Sequence, residues 1–193
     1  MVEDEEVHSF KISCTRREES TSCVCCLISR ALYEMHAPWE PMLPPMDPLD
    51  KVKYTLVFDM DGTLLTELTK DQFLGNKDVR FCEIDFIIEQ HIIGTIAFIA
   101  IKPYLGQFLE SMVEFFEIVK FTERPKKRII AILDKLPNNS LIQKRLYKDS
   151  CIEIEGKLEK DLSLLGRDLR RVIIVDNFPF SYSLQPSNSF STK

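Results

Sequence analysis

The chain has 193 residues, 45% of them hydrophobic and 28% charged, with a formal net charge of −5. That length holds one domain with a real core plus a tail, and leaves little for a second domain. The acidic balance argues against a nonspecific nucleic-acid binder, which is usually basic, while a local basic patch can still meet a phosphorylated partner.

The chain opens with Glu3, Asp4, Glu5 and Glu6, the opposite of a secretory or mitochondrial presequence. Cys14, Cys23, Cys25 and Cys26 follow. Only Cys23 and Cys26 have Cys-x-x-Cys spacing, with no second pair or histidine set nearby, so zinc is disfavoured. S-acylation of Cys23, Cys25 and Cys26, flanked by Val24, Leu27 and Ile28, is the modification to weigh against an inert tail. Cys82 and Cys151 read as buried hydrophobes. A short helix is expected around 27–35. Pro38, Pro41, Pro44, Pro45 and Pro48 then crowd a stretch that cannot continue a helix or a central strand. Residues 1–50 are expected to be a mostly disordered tail and Pro-rich linker, stiff rather than an SH3-type ligand.

From Lys51 the pattern becomes α/β. A strand is expected over 53–58, stopping at Asp59. The stretch 66–102 has several β-rich runs, with turn signals at Gly75-Asn76 and Gly94, and reads as a small β-rich insert. Its apolar part, 92–101, is far short of the roughly 20 residues that span a bilayer, and no segment reads as transmembrane. Leu105, Phe108, Leu109, Met112, Phe115 and Phe116 repeat with the period of a core-facing helix. A strand over 117–121 leads into Thr122, and a second helix opens at Pro125 and runs to about Leu136. A short strand is expected over 151–154, and 172–175 is the clearest buried strand, ending on Asp176-Asn177. Alternating strands and helices imply a mostly parallel sheet flanked by helices, with ligands beyond the carboxyl ends of strands.

The strands over 53–58 and 172–175 both end on carboxylates. Clustered carboxylates repel one another and call for a cation, and a few hard oxygen ligands that leave room for water and phosphate suit Mg²⁺. Asp59 can attack phosphorus to give an aspartyl-phosphate. Asp61, two residues on, lies on the same side of an extended strand end, where it can protonate the leaving oxygen and later deprotonate water. Gly62 permits a sharp turn, and Thr63 can fix the loop through its hydroxyl. A cysteine phosphatase has no support, because Lys157 rather than arginine stands six residues after Cys151.

The segment from Lys53 to Leu65, which contains Asp59-Met60-Asp61-Gly62-Thr63, resembles the first motif of the haloacid dehalogenase superfamily. It is most similar to the small C-terminal-domain phosphatases (the FCP/SCP family). Lys102-Pro103 through Phe121-Thr122, Arg145 to Cys151, Lys160 to Leu169 and Arg171 to Asn177 resemble further family segments, so the likeness covers about 51–186. It implies a Rossmann-like, HAD-type phosphatase domain over 51–193. It also implies a Mg²⁺-dependent protein serine/threonine phosphatase acting on phosphoserine or phosphothreonine in the RNA polymerase II C-terminal domain or a similar phosphoprotein. By that resemblance Asp59 is the nucleophile and Asp61 the general acid/base, while Thr122 and Lys160 bind the phosphoryl group. Mg²⁺ is held by the Asp59 side chain, the Asp61 carbonyl and Asn177, with Asp176 supporting. The substrate class implies the nucleus or cytoplasm, with membrane association added if the tail cysteines are acylated.

The chain departs from the family at Glu123-Arg124, where an acid next to Thr122 would oppose a phosphate dianion unless it points away or pairs with Arg124. Lys148 and Lys102 stand where arginines are usual. The stretch 185–193 lacks an apolar helix pattern, so a truncated C-terminal end and an uncovered sheet edge are expected. These departures keep a second reading open: a catalytically weak or inactive member of the fold serving as a protein-binding module. A metabolite phosphatase is disfavoured, because the insert is too short to form an enclosing cap.

Overall fold

Leu56, Val57 and Phe58 have the apolar character of a strand buried on both faces, and that is how β1 (Tyr54–Phe58) is used. The computed structural model describes residues 40–49, 53–75, 84–90 and 95–192. Four of the cysteines (Cys14, Cys23, Cys25, Cys26), the helix expected over 27–35, and Cys82 lie outside them.

After β1 comes β2 (Leu65–Thr69), then a short helix α1 (Lys70–Gly75), β3 (Phe86–Gln90) and β4 (Thr95–Ile101). These strands form an antiparallel sheet in the order β2-β4-β3, the β-rich insert expected over 66–102. The remaining elements are α2 (Leu105–Met112), β5 (Phe116–Phe121), α3 (Lys126–Leu133), β6 (Lys144–Leu146), the hairpin of β7 (Ile152–Ile154) and β8 (Lys157–Glu159), β9 (Val172–Asp176) and β10 (Ser189–Ser191). The central sheet has the order β10-β9-β1-β5-β6, and every pairing in it is parallel. This is the mostly parallel α/β fold read from the sequence.

Alternation along the strands divides the core. Leu56, Phe58 and Ile118 face α2 and α3, packing on Leu105, Leu109, Ile129, Ile132 and Leu133. Val57, Val119, Phe121, Val172 and Ile174 face the other way, onto Leu162, Leu165 and Tyr182. That second face is covered by single 3-10 turns (Leu162–Leu165 and Leu169–Arg171) rather than long helices. Leu43 is buried there, and the Met42 N–H donates to the Leu164 carbonyl at 2.8 Å. Pro41 packs so closely that a Cβ on Gly166 would lie 2.4 Å from it. Residues 41–43, expected in the linker, are therefore docked on the domain.

Other differences are local. α2 ends at Met112, and Phe116 joins β5 opposite Tyr54, because pairing with a buried strand satisfies its backbone better than another helical turn. On the C-terminal side β10 pairs with β9, Ser189 opposite Ile174 and Ser191 opposite Asp176, so β10 rather than β9 forms that edge of the sheet. The Asn188 amide fixes the preceding turn by donating to the Leu169 and Val172 carbonyls at 2.6 and 2.9 Å. Among the described residues no helix is long and apolar enough to cross a membrane.

An ion pair is buried against β5 of the sheet. Arg167 makes a two-pronged contact with Glu117 of β5, Nε to Oε2 at 2.8 Å and Nη2 to Oε1 at 2.7 Å, and the Thr55 hydroxyl donates to Oε2 at 3.3 Å. Truncating Glu117 would leave the guanidinium buried without its partner. Glu117→Ala is expected to lose about 3–5 kcal/mol of stability, read as a lower urea midpoint.

Candidate active site

β1 and β9 run side by side, with Phe58 opposite Val175, so the residues that follow each strand emerge at the same sheet end. The Asp59 N–H continues the ladder by donating to the Val175 carbonyl at 3.0 Å. The chain then turns back on itself. The Met60 carbonyl accepts from the N–H groups of Thr63, Leu64 and Leu65, and the Gly62 N–H donates to the Leu65 carbonyl at 2.7 Å. Gly62 has φ of 79°, the left-handed region. A Cβ there would also lie 2.5 Å from Asn177 Nδ2, so the glycine lets the two strand-end loops touch. Thr63 does not lock the loop as expected: its hydroxyl is buried without a hydrogen-bond partner.

Lys160 reaches this point from the end of β8. Its Nζ is 2.6 Å from Asp59 Oδ1 and 2.7 Å from Asp176 Oδ2, and its side chain is almost wholly buried. Burial alone would lower this ammonium, but the Asp59 and Asp176 carboxylates outweigh it and the net shift is upward. Burial raises Asp176, with the Lys160 charge acting against it. The backbone on either side of Lys160 is fixed. Its N–H donates to the Ser181 carbonyl at 2.7 Å, and Asp161 Oδ1 accepts from the backbone and hydroxyl of Ser163 and from Gln185 Nε2.

Thr122 follows β5, buried, with its N–H donating to the Leu146 carbonyl. Asp59, Asp61, Thr122, Glu123, Arg124, Asp176, Asn177, Phe178 and Ser181 line one open concavity of about 250 Å³. The six candidate site residues thus come together: Asp59, Asp61, Thr122, Asp176 and Asn177 line the concavity, and Lys160 contacts two of them, Asp59 and Asp176. A larger groove of about 790 Å³, beside Lys102, Tyr104 and Asn138, is lined by none of them.

The sequence reading did not resolve Glu123 and Arg124. Glu123 is turned aside by the Ser181 hydroxyl, which donates to its Oε1, and it does not pair with Arg124. Arg124 instead places Nε 2.7 Å from Asp61 Oδ2 and its Nη1 on Glu67 of β2, tying the insert to the loop after β1. Burial raises Asp61 to about 6, opposed first by Arg124. Lys120 was not foreseen either. It is wholly buried in β5, its Nζ without a hydrogen-bond partner and 4.8 Å from the centre of the Tyr147 ring, and burial lowers it to about 7. The Cys151 thiol is pushed up to about 12 by burial, so it stays protonated and poorly nucleophilic at neutral pH.

The donors available to a cation are hard oxygens: the Asp59 carboxylate, the Asp61 carbonyl and the Asn177 amide. Among the described residues no group of three or more His, Cys, Asp or Glu side chains is placed to hold a metal by itself. The donor set fits Mg²⁺, which accepts few protein ligands and fills its remaining positions with water and phosphate oxygens. Gly62→Ala is expected to cost more than about 1 kcal/mol from the positive φ alone, with a further cost from displacing Asn177. The check is the chemical denaturation midpoint.

The family model for NLI interacting factor-like phosphatases matches residues 54–193. A probable C-terminal domain small phosphatase of Dictyostelium discoideum is 39% identical over 151 residues, covering 77% of this chain and 46% of that protein. The human carboxy-terminal domain RNA polymerase II polypeptide A small phosphatase 1 is 36% identical over 153 residues, covering 79% and 56%. The chain thus spans about half the length of the curated relatives it matches. Among solved structures, the fission yeast RNA polymerase II CTD phosphatase Fcp1 bound to beryllium fluoride superposes with a TM-score of 0.56 at 20% identity. That match covers 74% of this chain and 42% of the other, and supports the fold alone.

Proposed function

Because the chain belongs to the NLI interacting factor-like phosphatase family, we propose that it is a Mg²⁺-dependent protein serine/threonine phosphatase working through an aspartyl-phosphate on Asp59. The observation that carries this reading is the Lys160 ammonium held between Asp59 and Asp176 at the ends of two parallel strands. A fixed positive charge beside a carboxylate nucleophile is what a transferring phosphoryl group needs.

An Asp59 carboxylate oxygen bonds to phosphorus as the bond from phosphorus to the serine or threonine oxygen breaks. Asp61, as the carboxylic acid, gives its proton to that leaving oxygen. Asp61, now a carboxylate, takes a proton from the water that attacks the phosphorus of the acyl phosphate. Asp59 is freed and inorganic phosphate departs. Thr122 binds a phosphoryl oxygen and Lys160 offsets the developing charge. Asp59, the Asp61 carbonyl and Asn177, with Asp176 behind them, would hold Mg²⁺, which would draw charge from the phosphoryl oxygens.

The site is open at the protein surface, and the insert forms a small sheet rather than a lid, which suits a phosphoserine or phosphothreonine on a flexible segment. The RNA polymerase II C-terminal domain, named for the human relative, is the first substrate to try. A place in the nucleus or cytoplasm follows from that substrate class. Asp59→Asn is expected to lower hydrolysis of a phosphoserine peptide and an aryl phosphate by about 1,000-fold or more, and chelation of Mg²⁺ to abolish it reversibly. Folded protein that is inactive with Mg²⁺ would favour a protein-binding module instead.

A further inference from the structure

The loop after β9 displays two phenylalanines for which the phosphoryl chemistry has no use. Phe178 and Phe180 are each 52% exposed, with ring centroids 5.5 Å apart. They are not on a slack loop. The Phe178 N–H donates to Asp176 Oδ1 at 2.8 Å and the Phe178 carbonyl accepts from the Ser181 N–H at 3.0 Å. Ser181 is itself tied to the backbone of Lys160 and the side chain of Glu123. The residues that build the site therefore hold the rings out in water. Outside them, Lys157 Nζ lies 4.4 Å from the centre of the Phe180 ring.

Phe178 lines the same concavity as Asp59, Asp61, Thr122 and Arg124. Any chain that delivers a phosphate to Asp59 must lie against it. A rigid aromatic pair gives a large apolar contact at little entropic cost, and a charged or glycine neighbour would leave that surface wet. We propose that Phe178 and Phe180 form a specificity subsite for an apolar side chain (proline, aliphatic or aromatic) immediately flanking the phosphorylated serine or threonine. The inference rests on reading the site as a phosphoprotein phosphatase. The occupant is a substrate residue because the patch is continuous with the phosphate pocket. Lys157 disfavours a basic residue farther along that side of the peptide.

The test uses the full chain carrying Asp59→Asn, with and without Phe178→Ala plus Phe180→Ala, all checked for folding by circular dichroism. Fluorescently labelled phosphoserine peptides with leucine or glycine on both flanks are titrated and read by anisotropy. The leucine peptide is expected to bind about tenfold more tightly, and the ratio to fall to within about twofold when both rings are removed. Equal binding of the two peptides, no binding of either, or a preference that survives loss of the rings would overturn the subsite. So would sedimentation showing a dimer that the double variant abolishes, since a second copy would then be the occupant. Hydrolysis by the wild-type chain is measured alongside. A binding preference without Asp59-dependent hydrolysis removes the phosphatase reading and keeps the subsite, while Asp59-dependent hydrolysis without the preference does the reverse.

Discussion

The arrangement depends on one buried cation. Lys160 sits between Asp59 and Asp176 at 2.6 and 2.7 Å, and without it two carboxylates would face each other where water is scarce. The parallel pairing of β1 with β9 forces those acids together, and the hairpin of β7 and β8 delivers the lysine that makes their proximity tolerable. Much of the surrounding backbone serves this contact. The Ser181 carbonyl and the network around Asp161 hold the residues flanking Lys160, so its ammonium is aimed by main-chain geometry rather than by its flexible stem.

A second layer of charge lies toward solvent. Arg124 joins Asp61 to Glu67, and Glu123 is drawn off by Ser181. An acid beside Thr122, the residue proposed to bind phosphate, looks hostile to a dianion when read in one dimension. In three dimensions it is hydrogen-bonded to another loop, and its neighbour supplies a positive charge at the mouth. The departure from the family pattern therefore changes how Asp61 is held without adding an unpaired negative charge to the site.

The sequence makes the middle of the fold legible and its margins obscure, for physical reasons. β1 and β9 are apolar runs that stop on acids, and that pattern marks them as strands; β1 is buried on both faces, whereas β9, expected to be the clearest buried strand, buries Val172 and Ile174 and leaves Ile173 exposed. β6, β8 and β10 are three residues each, too short for any periodicity, and are held by backbone pairing that almost any side chain tolerates. Lys160 follows such a strand, so residue pattern alone does not separate a functional lysine from a solvated one, and the family resemblance is what singles it out. Arg124 meets a partner 57 positions away on the insert, and nothing local announces such a pairing. Lys120 falls in a strand whose other members are chiefly apolar, where hydropathy registers a polar interruption but not the tyrosine ring beneath it.

The central sheet also ends in a particular way. Its two outermost strands, β10 and β6, are its shortest. An exposed edge invites another chain to add a strand, and a long flat one is a template for aggregation. Three residues offer an incoming chain only a few backbone bonds, too few to offset the entropy of aligning it. The same brevity that hides these strands from sequence patterns thus limits uncontrolled polymerisation through the edges of the sheet.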